Sequence, residues 1–94
     1  MKYIKKIIEL NESRIKELIE TKHPWYKWNQ TYIDSIKDEL EEVIQEIREN
    51  NKVYLEDELW DLFWDYVWLL NCLEQEWKIE VKNVFKRSYK KFSQ

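Results

Sequence analysis

The chain has 94 residues, room for one domain and no second core. With 44% hydrophobic and 37% charged residues it folds rather than staying disordered, and its net charge of -3 speaks against a nucleic-acid binder. It contains no glycine and a single proline, which excludes a glycine-rich phosphate loop and argues against sheets built on tight hairpins.

Lys and Glu recur through residues 1–20, so this stretch is neither a secretion signal nor a membrane span, and no other window is apolar enough to be one. The one cysteine, Cys72, has no internal disulfide partner and lies in an apolar stretch, as expected of a cytoplasmic protein. Four helices joined by short breaks are predicted, an all-α bundle spanning 1–94 as one domain. The first covers about 4–19, with Ile4, Ile7, Ile8, Ile15, Leu18 and Ile19 on one face. The period is lost over 21–31, which holds the only proline. The second, about 32–49, carries Ile33, Ile36, Leu40, Val43, Ile44 and Ile47, and Asn50-Asn51 supplies the stop. The third, about 54–75, carries Leu55, Leu59, Leu62, Phe63, Tyr66, Leu69, Leu70 and Leu73 and is also aromatic on its back. The last, about 79–92, sets Val81, Val84, Phe85, Tyr89 and Phe92 among Lys86, Arg87, Lys90 and Lys91.

A near-repeat runs through the middle helices. Residues 38–47 read DELEEVIQEI and 57–66 read DELWDLFWDY, so Glu39, Glu42 and Glu46 correspond to Glu58, Asp61 and Asp65 at a shift of 19. Spacings of three and four put each trio on one face, beside the apolar stripe of its helix. A hairpin that packs the stripes together lets the two trios face each other at the rim. Carboxylates gathered there raise one another's pKa unless a cation neutralises them, and an all-oxygen set with no His or Cys suits Mg²⁺ or Mn²⁺ rather than zinc. The alternative is that both trios are solvated faces of amphipathic helices.

At these residues the chain resembles the MazG-like family of all-α nucleoside triphosphate pyrophosphohydrolases, which is marked by an E-x-x-E pair and then an E-x-x-D pair on the next helix. Here the pairs are Glu39 with Glu42 and Glu58 with Asp61, and the second block reads ELWD where the family usually has ELGD. The flanks are similar too: HPWYKWNQT at 23–31 keeps Pro24, Trp25, Gln30 and Thr31 of the family's upstream motif, and NVFKRSYKKF at 83–92 resembles its basic final helix. The resemblance implies Mg²⁺-dependent cleavage of a nucleoside triphosphate between the α and β phosphates, with Glu39, Glu42, Glu58 and Asp61 as metal ligands. Asp65 is a further candidate ligand, and Glu42 or Glu46 would orient the attacking water and take its proton. A dUTP, dCTP or phosphoribosyl-ATP hydrolase of the same superfamily is an alternative. So is a non-catalytic interaction protein on the same scaffold, for which Trp60 inside the signature is the main argument.

Among the remaining residues, Trp25 and Trp28 are placed to stack a nucleobase, with Gln30 reading its edge, or else to plug the end of the core. Lys86, Arg87 and Lys90 can neutralise phosphates, or can simply be cations favoured at a helix C-terminus. His23 reads as a loop residue. Trp60, Trp64 and Trp68 recur every four residues on the back of the third helix. An apolar back needs cover, and the expectation is that Trp60, Trp64 and Trp68 form the interface with a second subunit, the alternative being that the first or fourth helix wraps round them. The expected assembly is a homodimer or homotetramer, as the family resemblance also implies.

Overall fold

A computed structural model of the protein describes residues 2–23 and 29–93. Among these residues are four helices: α1 (Lys2–Glu20), α2 (Asn29–Glu49), α3 (Lys52–Gln75) and α4 (Val81–Phe92). There is no strand among the described residues, and none of these helices is long and apolar enough to cross a membrane. Trp25 and Trp28 lie outside the described residues.

Helix ends explain where the elements stop. In a chain without glycine only side-chain-bearing residues can supply a left-handed helix end, and among the described residues three do: Lys22 (φ 53°), Asn50 (φ 56°) and Trp77 (φ 63°). Each closure has the same bond pattern. The amide of His23 reaches back to the Leu18 carbonyl at 2.8 Å, that of Asn51 to Glu46 at 3.4 Å and that of Lys78 to Leu73 at 3.0 Å. The adjacent asparagines divide the work: Asn50 ends α2, and the Asn51 side chain accepts from the Tyr54 amide at 3.2 Å, capping α3. That cap starts α3 at Lys52, two residues before the periodicity alone suggests. Likewise α2 begins at Asn29, so Gln30 and Thr31 belong to its first turn rather than to the break.

The long helix α3 is the centre of the molecule. It packs against α2 along one side and α1 along another, and touches α4 only slightly. The buried hydrophobic side chains among the described residues are Ile15, Val43, Val67, Leu70 and Cys72. At about 1.5–3 kcal/mol for each large side chain buried, this is a thin core. Much of the predicted apolar surface stays open: Leu40, Ile44 and Ile47 of α2 are 45%, 41% and 58% exposed, and Leu59 and Tyr66 of α3 are 46% and 43% exposed. The bundle is therefore open, with Tyr89 and Phe92 of α4 also in solvent.

The tryptophan row on the back of α3 is divided. α1 takes the stretch around Trp64, where the Asn11 side chain donates to the Trp64 carbonyl at 3.2 Å and the Arg14 guanidinium sits 5.8 Å above the ring. Trp64 and Trp68 are half-buried, whereas Trp60 is 45% exposed.

Candidate metal centre

The two-residue break at Asn50-Asn51 folds α2 back along α3, and distance from that turn decides which residues meet. Glu39 and Asp61 lie 11 residues either side of Asn50, and Glu42 and Glu58 lie 8 either side. The acidic blocks are thus related by reflection about the turn, not by the translation that their sequence likeness suggests. Carboxylate oxygens of Glu39, Glu58 and Asp61 come within 4.8 Å of one another. Glu42 stands against Glu58, within hydrogen-bonding reach of its carboxyl group. Glu46 is too near the turn and Asp65 too far from it to join the three. Glu46 is half-buried one turn before the end of α2, and Asp65 feels this group only through the charge of Asp61.

The electrostatics follow from this crowding. Glu39 is pushed up to about 7, first by burial, then by sharing a proton with Glu58 and by the charges of Glu42, Glu58 and Asp61. Glu58 is also raised, first by its hydrogen bond with Glu42, although its bond with Glu39 works the other way. Asp65 is raised by burial and then by Asp61. One oxygen each of Glu39, Glu46 and Glu58 is shielded from solvent with no hydrogen-bond partner among the described residues. Two acceptors can share only a proton or a cation.

The donor set fits a hard divalent ion. Oxygens on opposite sides of a Mg²⁺ ion stand about 4.2 Å apart at an Mg–O distance near 2.1 Å, so a slight tightening of this cluster surrounds one ion. Glu39, Glu58 and Asp61 would hold it, with Glu42 at the edge. Among the described residues no nitrogen or sulfur donor stands with these three, in keeping with Mg²⁺ or Mn²⁺ rather than zinc.

The other candidate residues sit apart. Gln30 is exposed and donates to Asp34 at 3.1 Å. Lys86, Arg87 and Lys90 share one exposed face of α4 and, with Asn83, border a shallow hollow of about 230 Å³. One polar link was not anticipated. Glu76, just past α3, accepts from Asn29 at 2.6 Å and from the Cys72 thiol at 3.0 Å, tying the start of α2 to the end of α3. Burial alone would raise Glu76, but these bonds, a further one from the Asn29 backbone and the Lys78 charge together hold its carboxyl below the usual range. Cys72 is buried as expected, with its thiol engaged. Polar residues scattered over two helices carry no periodic signal, so only a fold could bring them together.

The family model of the MazG nucleotide pyrophosphohydrolase domain matches residues 27–94. The chain belongs to this family. The match takes in both acidic blocks and the basic helix α4 and leaves α1 outside. No curated protein and no solved structure matches the chain. The all-helical architecture agrees with the MazG fold, and α2 and α3 bring together three carboxylates that could hold a metal ion.

Proposed function

We propose that the protein is a Mg²⁺-dependent nucleotide pyrophosphohydrolase that splits a nucleoside triphosphate into a monophosphate and pyrophosphate. The observation that carries this reading is the meeting of Glu39, Glu58 and Asp61 within 4.8 Å, two of them with shielded, unpartnered oxygens. Bound there, a divalent ion would neutralise phosphate charge and polarise the phosphorus centre. The water oxygen bonds to the α phosphorus, the bond from that phosphorus to the bridging oxygen breaks, and pyrophosphate leaves. Glu42, held beside Glu58 but outside the three-carboxylate group, orients the water and takes its proton; Glu46 is the alternative. Lys86, Arg87 and Lys90 contribute to binding the outer phosphates as point charges. Assembly into a homodimer or larger homo-oligomer covers the apolar surface that a single chain leaves open.

A panel of NTPs and dNTPs with Mg²⁺, read separately for pyrophosphate and inorganic phosphate, tests the reaction. Pyrophosphate release that stops with EDTA and returns with fresh Mg²⁺ is the expected result. Inorganic phosphate alone would overturn cleavage between the α and β phosphates. Silence across the panel would favour the non-catalytic scaffold, for which Trp60 in the signature is the argument.

A further inference from the structure

The reflection that joins the carboxylates also joins two aromatic rings. Tyr32 of α2 and Trp68 of α3 lie 18 residues either side of Asn50, and their ring centroids are 5.9 Å apart. Each is seven residues from a carboxylate, Tyr32 from Glu39 and Trp68 from Asp61. Seven residues are two helical turns, so each ring lies on the helix face of that carboxylate about 10 Å along the axis. The seam between α2 and α3 thus has an anionic part and, two turns further from the hairpin turn, an aromatic part.

At the aromatic part the surface opens. Arg14, Glu17 and Leu18 of α1, His23 after it, and Trp64 and Trp68 of α3 enclose a cleft of about 510 Å³. Trp64 and Trp68 stand 6.2 Å apart between centroids, inclined by 35°, and Arg14 overhangs Trp64. The indole nitrogen of Trp68 is buried without an acceptor among the described residues, an unfavourable state that an incoming acceptor would relieve. Arg14 and this indole can only donate hydrogen bonds, whereas Glu17 at the rim can only accept when ionised.

We infer that this cleft receives the nucleobase of the nucleotide whose phosphates lie at Glu39, Glu58 and Asp61, and that it favours a base with a ring carbonyl. The inference rests on the metal–phosphate reading of the carboxylates and adds the other end of the substrate. Two helical turns suit the span of a nucleotide from its phosphates to its base. Indole faces give stacking area that every base can use, while Arg14 and the Trp68 indole supply donors suited to carbonyl oxygens. One wall is α1, which lies outside the segment matched by the family model, so the choice of base falls partly to a helix beyond that segment.

The test separates the two ends with two magnesium-loaded probes. Tripolyphosphate reports the anionic end alone, and α,β-methylene UTP, which resists cleavage, reports both; the corresponding ATP analogue tests the preference. In ¹⁵N spectra of the tryptophan indoles, with the Trp68 signal assigned by its loss in Trp68→Leu, that signal should move on adding the nucleotide and stay on adding tripolyphosphate. Trp68→Leu should weaken the UTP analogue about tenfold and leave tripolyphosphate unchanged. Arg14→Ala, at an exposed position where folding is not at stake, should reduce the preference for the UTP analogue over the ATP analogue. If tripolyphosphate binds normally but the Trp68 signal and both variants are indifferent to the base, the cleft is only packing and the inference falls. If the wild type binds neither probe with Mg²⁺, the metal–phosphate reading fails and takes the cleft with it.

Discussion

Asn71 donates a hydrogen bond to Asn11 at 2.8 Å, with both side chains buried in the contact between α3 and α1. Asn11 in turn donates to the Trp64 carbonyl. A polar pair inside an apolar contact fixes register, because sliding α1 by one turn would strand both amides. It thereby sets Arg14, three residues beyond Asn11, over Trp64.

Replacing Asn71 alone by Leu leaves the Asn11 oxygen buried without a donor, so it should cost about 1–3 kcal/mol. For a domain of this size each kcal/mol lowers the melting temperature by about 4–8 °C. The double variant Asn11→Leu/Asn71→Leu should recover most of that loss, since no orphaned group remains. Thermal melts of the four proteins in this cycle check it, and additive losses would show that the pair is not coupled.

The raised carboxylates make stability depend on pH with a definite sign. In the metal-free fold Glu39 keeps its proton up to about pH 7, while the unfolded chain releases it near the ordinary 4.5. Below 4.5 both states are protonated, and between the two values the unfolded state is the one that ionises. Stability should therefore fall as pH rises across that window and level off above it. Mg²⁺ should reverse the trend, raising the melting temperature strongly near pH 8 and little near pH 5, because it competes with the shared proton. Melts across this range with and without millimolar Mg²⁺ decide the matter; a wild-type curve indifferent to the metal counts heavily against the site.

Neutralising single carboxylates separates repulsion from ligation. Glu39→Gln, Glu58→Gln and Asp61→Asn each remove one charge from a repelling group, so each should leave metal-free stability unchanged or higher. Each should also abolish the Mg²⁺-induced rise in melting temperature together with turnover. Glu42→Gln should abolish turnover while retaining part of that rise, as expected of a proton acceptor at the edge of the ligand group. Loss of fold in any of these variants would mean that the carboxylates are structural.

Much of this architecture is legible in the sequence, and the limits have a physical cause. The stripes of α1, α2 and α3 show in the 3–4 spacing, and Asn50-Asn51 marks the turn because Asn tolerates the left-handed region and also caps well. The acidic blocks are visible, but their likeness suggests matched trios. The antiparallel hairpin instead pairs residues by distance from Asn50, which keeps Glu39, Glu42, Glu58 and Asp61 together and separates Glu46 and Asp65. The pairing of Tyr32 with Trp68 follows the same rule and gives no periodic signal. The Asn11–Asn71 pair was illegible too, since buried amides look like surface residues until their partner is known.

Trp77 offers a test of backbone strain. It sits at φ 63° with 95% of its surface exposed, so its side chain contributes little packing while its β-carbon crowds the backbone. Left-handed geometry costs a non-glycine residue about 1–2 kcal/mol, more than the entropy that glycine loses on folding. Trp77→Gly should raise the melting temperature by a few degrees. Glycine at an exposed mid-helix position such as Lys37 would do the opposite, so a fall at Trp77 would mean that its ring has a partner in the assembled protein.

Assembly is expected to cover the apolar surface that one chain leaves open. Leu40, Ile44 and Ile47 recur at helical spacing on α2, and Leu59 and Tyr66 at two-turn spacing on α3, all more than 40% exposed. Trp60 adds a 45%-exposed indole on another side of α3, where it borders a groove with Ile4, Leu59 and Phe63. With only five buried hydrophobic residues among those described, one chain has little core to offset its open apolar surface. A second copy meeting it across a two-fold axis would bury matching rows from both chains, since the same patch serves both sides. Sedimentation at micromolar concentration should find a dimer or larger species. Ile44→Glu and Trp60→Glu should dissociate it while leaving helical content intact, because both positions are already in solvent in the single chain. Trp64→Glu is the less direct probe: α1 packs over Trp64, so a charge there disturbs the chain's own fold as well. A monomeric wild type, or an assembly that survives both exposed-site charges, would end the proposal.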